Sequence, residues 1–171
     1  MDETSVSLHP LLHRCWMKRG QRQLIPAPGT PQFVHLFGAY NWRTGAVLHQ
    51  THTRKNSEHF IEFIEHLMNM IPQPQKVVLV LDNASYHRSY ASRAALALFE
   101  DRLRVVWLPK YCPFLNPIER FWLHLKTLAA ANHLHHDMDD LCLAIDHVIQ
   151  LQAHPDSDQR ILFASFFRLL A

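Results

Sequence analysis

The 171-residue sequence has three cysteines, Cys15, Cys112 and Cys142, and no CxxC pair among them. That excludes a zinc ribbon and a disulfide framework, and leaves free thiols suited to a reducing compartment. No apolar run is long enough to span a bilayer: the most apolar stretch, Ile161 to Leu170, is short and broken by Arg168. No export leader opens the chain, so a soluble, cytoplasmic protein with no membrane partner is expected, and the sequon Asn83-Ala84-Ser85 carries no weight. A strong charge imbalance is missing too. The formal net charge is +2, which by itself does not announce a nucleic-acid binder. There is no repeat, no low-complexity tract and no serine or cysteine nucleophile motif.

At 48% hydrophobic residues, the sequence can bury a core as one domain over 1–171. Cations are unevenly spread. Arg14, Lys18, Arg19 and Arg22 surround Trp16, either as a phosphate-binding patch or as a solvated surface. Arg54, Lys55, Arg88, Arg93, Lys110, Arg120 and Lys126 fall near expected strand ends, where a phosphate backbone could lie.

The pattern predicts an extended Met1–Leu8, an irregular basic loop over Leu11–Pro31, and strands over Phe33–Tyr40 and Ala46–His52 joined by a turn at Thr44-Gly45. A helix capped by Asn56 or Ser57 runs to about Met70, with Phe60, Ile64, Leu67, Met68 and Ile71 on one face. The apolar run Val77–Leu81 reads as a strand buried on both faces, and a helix over Tyr90–Phe99 and a strand over Arg104–Leu108 follow. A proline-rich loop, Pro109–Pro117, leads into a helix from Ile118 to Ala131 with Ile118, Phe121, Trp122, Leu125, Leu128 and Ala129 facing inward. Helices over Leu141–Gln152, capped by Asp137 or Asp139, and Arg160–Leu170 close the chain. Phe163, Phe166 and Phe167 give the last one more apolar surface than one face needs, for the core or for another subunit. The order of elements describes an α/β fold with a mixed five-stranded sheet flanked by helices. In the ribonuclease-H-like wiring of that order, the first and fourth strands are central neighbours.

Three acids can then converge: Asp2, Asp82 at a strand end where open α/β sheets place ligands, and Glu119 at a helix start. Carboxylates suit a pair of Mg2+ ions roughly 3.5–4 Å apart, which serve phosphodiester chemistry with no covalent enzyme intermediate. Each acid has a plainer reading. Asp82 can open a turn, Asp2 can be an acid near a terminus, and Asn116-Pro117-Ile118-Glu119 fits a capping box. His87 can satisfy a loop backbone or take part in chemistry. The histidines His133, His135 and His136 lie where a helix ends and are expected to be solvated rather than zinc-bound; His9 and His13 are expected at the surface.

Leu81-Asp-Asn-Ala-Ser-Tyr-His87 and Leu108-Pro-Lys-Tyr-Cys-Pro-Phe-Leu-Asn-Pro-Ile-Glu-Arg-Phe-Trp122 strongly resemble the catalytic domain of the mariner-type transposase superfamily, in its bacterial insertion-sequence-630 branch. The likeness extends to Met1-Asp-Glu-Thr4, to Trp16 and Gly20, and to Phe33–Tyr40, so it covers nearly the whole chain. It implies a ribonuclease-H-like fold whose Asp2, Asp82 and Glu119 hold two Mg2+ ions, with Mn2+ as a possible substitute. Asp2 would bridge both ions. Asn83, His87, Lys110, Asn116 and Arg120 would stand behind the acids or touch DNA. The implied activity is cut-and-paste transposition: strand cleavage at an element end, then attack of the freed 3′-hydroxyl on target DNA. The implied partners are double-stranded DNA and a second copy in a synaptic homodimer. Relatives carry helix-turn-helix domains ahead of this one, and the apolar residues that should precede Asp2 are missing. The first strand is therefore expected to be truncated and the chain a fragment of a longer transposase, or else an inactive remnant that binds DNA or a full-length transposase. A ribonuclease-H-like nuclease for RNA hybrids or junctions fits the two long motifs less well.

Overall fold

The computed structural model describes residues 1–154 apart from Gln23, Pro28 and Tyr111. The expected helix over Arg160–Leu170 lies outside the described residues. Three strands form one antiparallel sheet: β1 (Asp2–Ser7), β2 (Phe33–Tyr40) and β3 (Val47–His52), with β2 in the middle. The β1–β2 register sets Asp2 opposite Gly38 and Val6 opposite Val34. Period-two alternation buries Asp2, Thr4 and Val6 on one face of β1. The turn into β3 uses Gly45 at φ 75°, a conformation that suits glycine. Residues between β1 and β2 form the expected irregular excursion, on which Trp16 and its four neighbouring cations are exposed.

Helix α1 (Ser57–Met70) starts where the Asn56 side chain accepts the His59 amide at 2.9 Å, and it buries Phe60, Phe63, Ile64, Leu67 and Met68. Phe63 extends the expected stripe. Strand β4 (Val77–Leu81), helix α2 (Tyr90–Ala97) and strand β5 (Leu103–Trp107) form a crossover unit, and β4 pairs with β5 in parallel. Helices α3 (Pro117–Ala130) and α4 (Met138–Ala153) follow, the latter capped by Asp137, which accepts the Asp140 amide at 2.9 Å.

Helices lie on both faces of the strands. Val34 and Leu36 of β2 pack with Ile118, Phe121, Trp122 and Leu125 of α3 and Leu141 and Ile145 of α4. Phe37, on the opposite face, packs with Phe60, Phe63 and Ile64 of α1 and with Leu79, Leu81 and Leu103 of the crossover unit. Among the described residues, no helix is long and apolar enough to cross a membrane.

Three expectations change. The five strands form two hydrogen-bonded ladders, of three and of two strands; between β1 and β4 the Met1 amine donates to the Val80 carbonyl at 2.9 Å. Strand β4 is not buried on both faces, because Val78 is 65% exposed while Leu79 and Leu81 are buried. Val78 and Val80 border an apolar cleft of about 490 Å³ that Val106, Ala39, Tyr40 and Trp42 also line. Leu128 is 41% exposed, since it falls on the flank of the stripe formed by Ile118, Trp122, Leu125 and Ala129.

Candidate active site

Asp82 directly follows the last residue of β4. Its Oδ1 accepts the Ala84 amide at 3.0 Å, which fixes a tight turn, and lies 2.8 Å from His87 Nδ1. The plainer turn reading is thus true as local structure, and it leaves a half-exposed carboxylate at the mouth of a cavity of about 420 Å³. Glu119, exposed in the first turn of α3, lines the same cavity with Asn83, Lys110 and Asn116. Asp2 is not among the residues lining this cavity; its carboxyl is buried, and burial together with the charges of Glu119 and Glu3 pushes it up to about 7. The middle and the latter third of the described chain meet at the cavity, and the beginning reaches Glu119 only through charge.

The capping-box reading of Asn116 and Glu119 does not hold. Asn116 occupies the N-cap position, but it makes no side-chain cap bond; its side chain is buried and donates to the Met1 carbonyl at 3.2 Å. Pro117 needs no amide partner, and the Glu119 amide is met by the Asn116 backbone carbonyl at 3.1 Å. The start of α3 is tied to β1 in place of a cap. Asn83 likewise acts inside the fold, donating from its side-chain amide to the Leu108 carbonyl and so joining the ends of β4 and β5. Lys110 and Arg120 are exposed.

His87 does not serve a loop backbone. The ring is wholly buried between two carboxylates, with Nε2 2.8 Å from Glu3 Oε1 and Nδ1 2.8 Å from Asp82 Oδ1. Burial works against its charge, but contact with Asp82 and Glu3 outweighs it and holds the imidazole up to about 9. His87 in turn holds the Asp82 carboxyl below the usual range. Glu3 and Tyr86 were not singled out from sequence, and Lys126 only as one of several cations near strand ends. Glu3 accepts from Tyr86 and His87; Tyr86 donates to it at 2.7 Å; Lys126 is held below the usual lysine range by burial and Lys55, while Glu119 and Asp2 pull it upward. Strand alternation next to Asp2, and the seven-residue interval from Glu119 to Lys126 along one helix face, are the signals that could have found Glu3 and Lys126.

The donor set is hard oxygen, and a buried Asp2 crowded by two acids marks negative charge that a divalent cation would relieve. Two histidine clusters fit a metal less well. His52 and His59 stack with centroids 4.3 Å apart and planes at 21°, so their in-plane lone pairs run side by side rather than toward one ion. His135 is buried rather than solvated, and both ring nitrogens are engaged, by Asp140 at 3.2 Å and the Ala129 carbonyl at 2.6 Å. It links the end of α3 to the start of α4.

A family model described as DDE superfamily endonuclease matches residues 1–142. The insertion element IS630 uncharacterized 39 kDa protein of Shigella sonnei is 28% identical over 149 residues, which is 87% of this chain and 43% of that protein. The uncharacterized protein y4pE/y4sA of Sinorhizobium fredii (strain NBRC 101917 / NGR234) is 26% identical over 113 residues, 64% of this chain and 77% of that one. The chain thus spans under half the length of the first of these relatives. Among solved structures, the Mos1 transposase paired-end complex with left transposon end superimposes with a TM-score of 0.70 at 17% identity, covering 92% of this chain and 48% of that one. The Mos1 mariner paired end complex with Mn gives 0.68 at 16% identity, over 92% and 48%. The catalytic core domain of BIV integrase gives 0.51 at 15% identity, over 80% and 88%. The fold is that of the ribonuclease-H-like transposase and integrase cores.

Proposed function

The chain belongs to the DDE superfamily endonucleases, and on that premise we propose that it is a transposase catalytic domain acting on double-stranded DNA, at element ends and at a target. The observation that carries this reading is the cavity shared by Asp82 and Glu119, with the buried Asp2 carboxyl near enough to feel the charge of Glu119. Asp2, Asp82 and Glu119 hold divalent cations, Mg2+ by preference with Mn2+ as substitute. When bound, such cations supply Lewis acidity and offset charge building on the phosphoryl oxygens.

The protein's own groups prepare the site. Ala84 and His87 orient Asp82; the Asn116 bond to the Met1 carbonyl brings Glu119 toward Asp2; Asn83 fixes the loop between them. Lys110 at the cavity rim attracts a phosphate, and exposed Arg14, Lys18, Arg19 and Arg22 can add backbone contacts. The reaction sequence is hydrolysis at an element end followed by attack of the freed 3′-hydroxyl on target DNA, in the cytoplasm and in a synaptic complex of two copies.

The test is nicking of supercoiled DNA carrying an element end, with Mg2+ or Mn2+. Wild type should nick, and Asp82→Ala and Glu119→Gln should each lose about 10²–10³-fold or more, the scale for removing one electrostatic stabiliser of a transition state. Chelation should abolish the signal. A folded wild type that binds DNA but never nicks would replace this reading with that of an inactive remnant.

A further inference from the structure

Strand β1 presents two consecutive acids, Asp2 and Glu3, to opposite faces. The Glu3 side chain is 3% exposed. Both of its oxygens are engaged: Oε2 accepts from the Tyr86 hydroxyl at 2.7 Å, and Oε1 lies 2.8 Å from His87 Nε2. The His87 ring is clasped in addition by Phe60, with centroids 4.5 Å apart, and by the edge of Tyr86 at 4.6 Å. Its other nitrogen, Nδ1, lies 2.8 Å from Asp82 Oδ1 at an angle too oblique for a well-formed hydrogen bond. Glu3 and the two aromatic rings fix where the imidazole lies.

We propose that Glu3 is a positioning residue for the Asp82 carboxylate, acting through His87. The line Glu3–His87–Asp82 resembles in chemistry a ligand braced from behind by an imidazole that is itself oriented by a second carboxylate, an arrangement that fixes where a ligand atom points. Here Oδ1 of Asp82 is committed to His87 and to the Ala84 amide, and neither contact uses Oδ2. One strand thus carries the proposed acid Asp2 and, through its neighbour Glu3, sets the aim of another, 80 positions from Asp2 in sequence. The acidic character of Glu3 matters beyond shape: it offsets the buried imidazole, so a neutral isostere keeps the volume and weakens the brace. The role rests on the proposal that Asp82 holds a divalent cation.

The experiment measures Mn2+ binding by the electron paramagnetic resonance signal of free Mn2+, with the nicking assay and thermal melts alongside, for wild type, Glu3→Gln, His87→Gln and the double variant. Disturbing an orienting partner of a metal ligand costs roughly 10–100-fold in metal affinity or activity. Glu3→Gln should weaken Mn2+ by about that factor and lower kcat with KM for DNA unchanged. The double variant should be no worse than His87→Gln alone, because both act on one line. Wild-type Mn2+ affinity in a folded Glu3→Gln, or effects of the two substitutions that simply multiply, would overturn the proposal. If Glu3→Gln does not fold, unchanged Mn2+ affinity in His87→Gln overturns it instead, and a 10–100-fold loss there that Tyr86→Phe reproduces in part supports it. A wild type that binds Mn2+ through Asp82 without nicking would defeat the transposase reading and leave this one standing.

Discussion

Asp2 carries the least comfortable charge in the site. Its carboxyl is raised to about 7 by burial first, then by Glu119 and Glu3, against 3.8 in an open chain. An acid raised on folding binds its proton more tightly in the native state, so its contribution is fully present below about 4 and is lost as pH rises through 7. By pH 8 the ionised, cation-free native state is disfavoured by up to about 4 kcal/mol. His87, held up to about 9, moves the same way, with its contribution lost as pH passes 9; the buried Met1 amine, pulled down to about 6 by burial, works in the opposite sense. Comparison with Asp2→Asn isolates the Asp2 part. In chelator, melts should show wild type losing ground to Asp2→Asn between pH 5.5 and 8, and Mn2+ at pH 8 should restore wild type only. Curves that stay parallel over that range would show that Asp2 is not strained.

Among the elements, the entry into α3 is the informative one. Asn116-Pro117 reads from sequence as a helix start, and it is one, but the side chain expected to cap the helix reaches β1 instead. Asn116→Ala leaves the buried Met1 carbonyl without that donor and should cost about 1–3 kcal/mol, with nicking reduced as Glu119 loses its tether. Asn116→Ser, a good cap with too short a reach, should recover neither. Opposite Asp2, Gly38 sits under the indole of Trp122: an added Cβ would come within 2.5 Å of one ring carbon and 2.7 Å of another, and 3.3 Å from Ile118. Gly38→Ala should therefore push α3 off β2 and cost about 1–3 kcal/mol by denaturant unfolding. The strands and helices themselves were legible because periodicity is local: β2 and β4 end where the pattern ends, and α1 starts directly after its cap, Asn56, as the capping chemistry requires. Partner choice was not local. Whether Asn116 bonds its own helix or Met1, whether Val78 meets a second strand or a cleft, and whether His135 faces water or Ala129 depend on residues far away in sequence.

For the molecule as a whole, the same distinction separates the acids from their supports. Asp82 and Glu119 are proposed from the motifs around them, and Asp2 from its place in the likeness. Glu3 was not, because an acid beside an acid on a short opening strand gives no local sign that it will be buried against Tyr86 and His87. The proposed site draws Asp2 from the three-stranded ladder, Asp82 from the end of the two-stranded one and Glu119 from α3. A cation held jointly should bind the folded chain alone, adding about 2.7 kcal/mol at a hundred times its dissociation constant. Thermal shift against Mn2+ should show this in wild type, and Asp2→Asn or Asp82→Asn should each remove most of it, since neither ladder suffices. A full shift in either variant would place the cation elsewhere.

The break between the ladders gives the fold the layout of a pair of callipers. Asp2 and Asp82 ride on separate arms, and the gap is set by the Met1 contacts with Val80 and Asn116 and by the Glu3–His87 clasp. On the proposed reading, substitutions that touch no acid but loosen those pins should change the jaw opening, and with it the nicking rate.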